Sequence, residues 1–400
     1  MKRIVIIGGG QAGAALAAKL RKLGHEGSIT LVCSELALPY QRPPLSKKYL
    51  MQEMSVEQLS LRPARFYAEN GIEVLLGQSV TKIDRACKVI WVGTQQLDYD
   101  ALAITTGSSP RRLPAVMGGD LDHVYGVRSI DDVDLIASEF VPDRRLLVIG
   151  GGYIGLEAAA VAANLRLRVT LIEMAPRILQ RVAAPETSNF FRSLHESHGV
   201  EVREGIALDR LAPGQSLKAQ FTNGEALEVD FAIVGIGVSS NCVLAETAGL
   251  RCDDGIVVNA QGQTSDPNIW AAGDCTRLPY RGALIRLESV QNAIDQAEAV
   301  AMNMMGQQED YVPKPWFWSD QFDVKLQIAG LNAGYNRVVT REGAVPTSRS
   351  HWYYADDKLL AVDAMNDPRA YMVGKRLIES DRSPMAADLA NGEIDLKSLL

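Results

Sequence analysis

Short apolar runs and Ala/Leu-rich helix formers follow one another from the first residues of the chain. Ile4–Ile7 is a fully apolar run closed by glycines, the pattern of a buried strand. A tight turn and a helix from about Gln11 to Leu23 are expected next, with Gly24 at the C-cap. Ile29–Val32 reads as a second strand. A proline-rich loop, LALPYQRPPLSKKYL, follows it, and a further apolar strand in YDALAITTG ends at Gly107. The sequence then begins again: a strand at Leu146–Ile149, a helix from about Tyr153 to Leu165, the strand RVTLIE ending at Glu173, and FAIVGIG around Gly235 and Gly237. TSDPNIWAAGD adds a buried strand ending in a polar turn. From about Pro313 the pattern changes to alternating polarity, as in HWYYADDKLLAVDAMN, which predicts antiparallel strands of a smaller third domain. No low-complexity segment is found, and no repeat beyond the paired glycine units.

Those glycine units carry the chemistry. RIVIIGGGQAGAALAAKL places Gly8, Gly10 and Gly13 at the start of a helix. RLLVIGGGYIGLEAAAVA places Gly150, Gly152 and Gly155 there again, 142 positions later. One glycine allows the tight turn, one lets backbone approach a pyrophosphate, and one lets helix and strand pack closely. The helix N-terminus offers free N–H groups and a positive dipole end to the phosphates. A single such motif is weak; two in strand–turn–helix context predict two dinucleotide-binding units. A chain holding two dinucleotides is expected to pass electrons between them. The acid expected on each adenosine ribose is Glu35, 22 residues after Gly13, and Glu173, 18 after Gly155, with Ser34 an equally placed alternative to Glu35. A carboxylate at Glu173 would repel a 2′-phosphate, so NADH is expected over NADPH, although Arg177 and Arg181 stand nearby in sequence.

Composition adds limits. The 400 residues are 47% hydrophobic and 22% charged, ordinary globular values, and the net charge of −7 disfavours general nucleic-acid affinity. Five cysteines with no CxxC argue against a disulfide framework, a zinc site and a redox dithiol, and reduced thiols fit the cytoplasm. Met1-Lys2-Arg3 followed by an apolar stretch imitates a signal peptide. The glycine triplet breaks that reading, and the same pattern recurs at 145–162. In the second copy Glu157 and Asn164 interrupt any membrane span.

PYQRPPLSKKYL, GGGYIGLE, the AAGD turn, RLESVQNA and PWFWSDQF, in order along essentially the whole chain, resemble the FAD-containing, NADH-dependent ferredoxin reductases of bacterial oxygenase systems. The resemblance implies the glutathione reductase type of α/β fold: two Rossmann-like dinucleotide-binding domains plus a C-terminal α+β domain with an antiparallel sheet. FAD would be bound by residues 1–111 and 238–312 and NADH by the inserted 112–237, with 313–400 as the interface domain. By matching position, Gly8, Gly10, Ala12 and Gly13 would line the FAD pyrophosphate, and Arg42 would belong to the same site. Lys47 would lie beside flavin N5, Val80 on the adenine, and Arg128 against FAD. Asp274 would bind the ribitol chain, and Val290, near a helix N-terminus, the pyrimidine edge. Tyr153, Ile154, Arg181 and Gly237 join the second glycine set and Glu173 around NADH. Two positions depart from the family, which often has Asp in place of Ser34 and Trp in place of Val290.

We expect hydride transfer from NADH to FAD with Glu157 paired to Lys47, the two named as the catalytic pair. Electrons would then leave singly for a small acidic 2Fe–2S ferredoxin that feeds a monooxygenase or dioxygenase. Docking on this acidic protein calls for a local basic patch, with Arg62, Arg65, Lys47, Lys48, Arg286 and Lys314 as candidates. Trp316 and Trp318, two apart, are expected on opposite faces of an extended segment, one packed inward and one on the flavin or docking side. No nucleic acid, membrane or metal is expected. A rubredoxin reductase or NADH oxidase of the same fold is the enzymatic alternative, and an apoptosis-inducing-factor-like binding flavoprotein the non-enzymatic one. The missing CxxC excludes a flavin disulfide reductase.

Overall fold

The computed structural model describes residues 2–343 and 345–400, and the chain divides into two compact units. The first comprises residues 1–42, 54–109 and 238–315; the second comprises 43–53, 110–237 and 316–400. The segment 43–53, expected within the FAD domain, therefore groups with the second unit.

In the first unit, five strands form a parallel sheet in the order Ile269–Ala271, Ala101–Ile104, Ile4–Ile7, Ile29–Val32, Ile72–Leu75. Ile4 stands opposite both Ile29 and Ala101, so the apolar runs read from sequence are in register. Because successive strand residues alternate sides, Ile4 and Ile6 join the cluster with Leu16 and Leu20 of the helix Gln11–Lys22, while Val5 and Ile7 join a second cluster with Ile90 and Leu278. Both faces are covered, which is why these strands are continuous hydrophobic runs. A three-stranded antiparallel sheet (Val80–Asp84, Val89–Val92, Gln95–Asp98) completes the pattern.

The second unit repeats this plan. Its parallel sheet runs Glu201–Glu204, Arg168–Glu173, Arg145–Ile149, Phe231–Val234, Val124–Tyr125. It too carries a three-stranded antiparallel sheet, Leu208–Ala212, Leu217–Phe221, Ala226–Val229. What recurs beyond the glycine turns is the sheet architecture, not a run of matching residues. The unit also contains a five-stranded antiparallel sheet, Trp316–Gln321, Val324–Gly330, Lys358–Met365, Arg349–Ala355, Arg337–Glu342. The helix Pro368–Glu379 lays Val373 and Leu377 on the core that includes Trp352 and Val362. Asp367 caps that helix and Pro368 occupies its first position, where a missing N–H costs nothing.

Candidate functional site

Both glycine turns are built for an anion. Gly8 has φ +114° and Gly150 φ +108°, and a Cβ on either would collide with the carbonyl of Thr105 or Gly235 respectively. A Cβ on Gly13 would strike the carbonyl of Gly8, and one on Gly155 the carbonyl of Gly150. These four glycines are required by the turns themselves. Gly10 and Gly152 differ: each is an extended N-cap whose Cβ would meet nothing within 4 Å. The helices Gln11–Lys22 and Tyr153–Asn164 have no capping side chain and no acid in the first turn. Their orphan N–H groups and positive dipole ends thus face open space, the environment a pyrophosphate requires. FAD and NADH fit these cradles.

Around the first cradle, Gly273 (φ +85°) approaches so closely that its Cβ position lies 3.1 Å from Cβ of Ala12 and 3.7 Å from Cβ of Ala293. This seats the AAGD turn at the helix start and brings Asp274, Ala12 and the helix Val290–Met304 together. Gln296 fixes the turn from below, accepting from the Gly273 N–H at 2.9 Å and from Thr276 Oγ1 at 3.0 Å. Asp274 accepts from Ser108 Oγ at 3.0 Å. Val290 is the first residue of its helix, which Ser289 caps through the Asn292 N–H. Ser34 is exposed in the bend two residues past the strand Ile29–Val32. Glu35 has both oxygens engaged, one by the Arg42 guanidinium and one by the Tyr40 hydroxyl, and Arg42 also lies 5.0 Å over the Tyr40 ring. Val80 opens the antiparallel sheet, half-buried against the core. Cys33 packs under Gly9, its thiol pushed up to about 12 by burial and then by Glu35, which leaves it inert as a redox thiol.

The second cradle holds its own acid. Glu173 accepts the Gly151 N–H at 2.7 Å on one oxygen and the Ala175 N–H at 2.8 Å on the other. Its carboxylate therefore belongs to the turn. Arg177 is directed to Ser188 Oγ and the Gln180 carbonyl. The Arg181 guanidinium lies near Gly237, whose φ is +98°. Ile154 is exposed beside the N-cap, and Tyr153 packs on Phe317 with centroids 4.9 Å apart. Arg128, expected on FAD, lies in the second unit, where its N–H and that of Ser129 bind Asp132 at the start of the helix Ile130–Ala137.

The second unit also contains a buried ion pair. Pro43 and Pro44 lead into a wide turn, Leu45–Tyr49, in which the Tyr49 N–H reaches the Pro44 carbonyl and Lys47 leaves helical geometry (φ −135°, ψ −112°). Lys47 Nζ lies 3.0 Å from Glu157 Oε1 and 3.5 Å from Asp320 Oδ2. Glu157 is only 7% exposed. It also accepts from Ser319 Oγ at 2.7 Å and from Ser46 Oγ at 3.0 Å. Burial raises its carboxyl above the usual range against the opposing pull of Lys47 and the two hydroxyls. The chain of contacts continues: Gln321 Nε2 donates to Ser319 Oγ at 3.2 Å, and Gln321 Oε1 lies 2.9 Å from His195 Nε2. Burial pushes His195 down to about 4, so it is neutral near pH 7, carries its proton on Nε2 and leaves a buried, unpartnered Nδ1. Sequence reasoning named Lys47 and Glu157 but not Ser46, Ser319, Gln321 or His195. Ser319 and Gln321 lie in the quoted PWFWSDQF stretch, two apart and thus on one face; nothing in the sequence marks His195.

The same alternation corrects the expectation for the tryptophans. Trp316 and Trp318 lie on one face of Trp316–Gln321, with ring centroids 5.5 Å apart, because residues i and i+2 of a strand point the same way. Trp316 also packs on Tyr371, and Lys375 Nζ lies 5.3 Å over its ring. Of the basic candidates, Arg62, Arg65, Lys48 and Lys314 are exposed. Arg62 lies over the Phe66 ring. Arg286 is bound by Asp254 at 2.9 Å and Glu288 at 2.8 Å, which neutralises it.

Residues 2–297 match the family described as pyridine nucleotide-disulphide oxidoreductase, and 316–400 match the reductase C-terminal family. The chain is 40% identical to putidaredoxin reductase CamA of Pseudomonas putida, over 99% of this chain and 96% of that protein. It is 39% identical to rhodocoxin reductase of Rhodococcus erythropolis, over 98% and 93%. The solved covalent putidaredoxin reductase–putidaredoxin complex superposes with a TM-score of 0.96 at 38% identity, covering 100% of this chain and 98% of that one. No helix among the described residues is long and apolar enough to cross a membrane.

Proposed function

The chain belongs to the pyridine nucleotide-disulphide oxidoreductase family, and from that premise we propose that it is an NADH-dependent ferredoxin reductase supplying a bacterial oxygenase system. The observation that carries this reading is the pair of uncapped helix N-termini, open above Gly10 and Gly152 in one polypeptide. Bound FAD supplies the conversion from a two-electron hydride donor to a one-electron acceptor.

The chain's own residues supply position and charge. The first cradle, with Asp274 and Ala12 at its edge, would hold FAD; the second would hold NADH, with Glu173 turned against a 2′-phosphate. Glu157 would hold the Lys47 ammonium in one orientation, while Ser46 and Ser319 hold the carboxylate. No side chain need exchange a proton in the hydride step. The acceptor in this reading is a small acidic 2Fe–2S ferredoxin, met by exposed cations such as Arg65, Lys48 and Lys314. Five free thiols support a cytoplasmic setting.

The test is NADH-driven reduction of a panel of 2Fe–2S ferredoxins and rubredoxins by the purified flavoprotein. Selective turnover of 2Fe–2S partners, slowing steeply with added salt, is expected. A protein that retains no flavin and does not oxidise NADH when FAD is resupplied overturns the reading. Preferential turnover of rubredoxins moves the acceptor class.

A further inference from the structure

After the strand Val238–Ser240, Asn241 is locked to the neighbouring turn, its Nδ2 donating to the Thr106 carbonyl at 2.9 Å and its Oδ1 accepting from Ser109 Oγ at 2.8 Å. Cys242 follows as the N-cap of the short helix Val243–Thr247, and Glu246 stands one turn on, so the two share a side. The chain then reverses. The Leu250 N–H returns to the Ala245 carbonyl, and Cys252 bridges Ile256 within a loop closed by Val257 N–H on the Arg251 carbonyl. That reversal carries the Cys252 thiol back onto the helix. The sulfurs of Cys242 and Cys252 and a carboxylate oxygen of Glu246 all lie within 4.8 Å of one another. Cys242 Sγ is 3.2 Å from Glu246 Oε1.

We propose that Cys242, Glu246 and Cys252 form a binding site for one soft divalent cation of the Zn²⁺ class, with a fourth position open to water. Two sulfurs bound to zinc at about 2.3 Å in a tetrahedral arrangement stand roughly 3.8 Å apart, and the three ligand atoms already lie within 4.8 Å of one another. Two thiolates and one carboxylate select zinc-class ions over calcium or magnesium, which take oxygen ligands. The exposure of Glu246 leaves an entry path. Sequence spacing argued against zinc because no CxxC occurs; here a helix and a reversing loop close a gap of ten residues instead. The cation would tie this loop to the helix just past Ser240, whose hydroxyl binds the Cys275 carbonyl next to Asp274.

The experiment titrates the reduced, chelator-stripped, FAD-loaded protein with Co²⁺ under argon and reads the difference spectrum. One equivalent is expected to bind with thiolate-to-metal charge-transfer and tetrahedral ligand-field bands, and Zn²⁺ is expected to displace it. Cys242→Ser with Cys252→Ser loses these bands, whereas Cys87→Ser at an exposed thiol keeps them. Glu246→Gln keeps the bands and weakens Co²⁺ binding about tenfold. Should the double variant misfold, Cys252→Ser alone, checked by flavin content, is expected to lose about half of the charge-transfer intensity. Absent bands, bands that survive loss of both sulfurs, or a Cys242–Cys252 disulfide that binds no Co²⁺ even after reduction overturns the site.

Discussion

Lys47 and Glu157 meet at 3.0 Å in a nearly solvent-free position. A buried pair of this kind is weak evidence for net stability, because desolvation offsets much of the attraction. Its value is orientation: the hydroxyls of Ser46 and Ser319 hold Glu157, and the wide turn after Pro44 delivers Lys47 to it. Glu157→Gln keeps groups that can bind Ser46 and Ser319 while removing the charge opposite Lys47. NADH-dependent flavin bleaching in stopped flow is expected to slow about a hundredfold, the usual effect of losing fixed geometry at a reacting centre. Thermal stability is expected to fall by less than the ~3–5 kcal/mol typical of an orphaned buried charge, because Asp320 remains 3.5 Å from Lys47. An unchanged bleaching rate removes the pair from the mechanism.

Gly10 separates ligand binding from folding. Its backbone is extended and its Cβ position is open, so Gly10→Ala is expected to change unfolding free energy by no more than ~0.5 kcal/mol. The same methyl group would stand where a pyrophosphate approaches, and FAD affinity is expected to fall about tenfold or more, the equivalent of ~1.4 kcal/mol. Gly13→Ala must instead displace the Gly8 carbonyl and is expected to destabilise the apoprotein by about 1–3 kcal/mol. Equal FAD affinity for Gly10→Ala and the parent, measured by fluorescence titration, rules out the cradle.

The contrast between those glycines marks what the sequence discloses. The parallel strands were legible because both of their faces are buried, so Ile4–Ile7 or Leu146–Ile149 has no polar residue to obscure the run. The turns were legible because only glycine satisfies φ +114° at Gly8 and φ +108° at Gly150. The antiparallel sheets at 80–98 and 208–229 were not, since their strands are short and half-exposed and carry charge. Contacts between distant segments left no local trace: His195 meets Gln321 across 126 positions, and Cys242 meets Cys252 only because a loop reverses. The tryptophan error had another origin, a misapplied two-residue period.

Glu173 is the residue to change for cofactor preference. Both of its oxygens are held by backbone N–H groups of the turn, which fixes the carboxylate where an adenosine ribose is expected. Glu173→Ala removes that hold and the repulsion of a 2′-phosphate together. KM for NADH is expected to rise about tenfold and the ratio of kcat/KM for NADPH over NADH to rise by more, since like charges at close range cost several kcal/mol. Steady-state kinetics with both cofactors checks this, and an unaltered ratio assigns discrimination elsewhere.

Asp363 predicts a pH signature of stability. Thr187 Oγ1 donates to it at 2.8 Å, and the Tyr353 hydroxyl donates as well. His351 Nδ1 lies 2.7 Å from Thr187 Oγ1. Burial raises the Asp363 carboxyl from 3.8 to about 6 despite those donors. The folded chain then holds this proton more tightly than the unfolded chain. Its stabilisation is complete below about pH 4 and is lost as pH rises through about 6, a change of roughly 3 kcal/mol. His195 and His351 work in the opposite sense: both are pushed down to about 4 by burial, so between pH 6.5 and about 4 the unfolded chain takes up protons the folded chain refuses. Acidification therefore weakens the protein through the histidines while Asp363 offsets part of the loss. Asp363→Asn removes the offset and leaves the histidines in place. Between about pH 6 and 4 its unfolding free energy is expected to fall more steeply than the parent's by roughly 3 kcal/mol, read from urea midpoints at each pH. Parallel curves for the two proteins show that the Asp363 proton affinity is the same folded and unfolded.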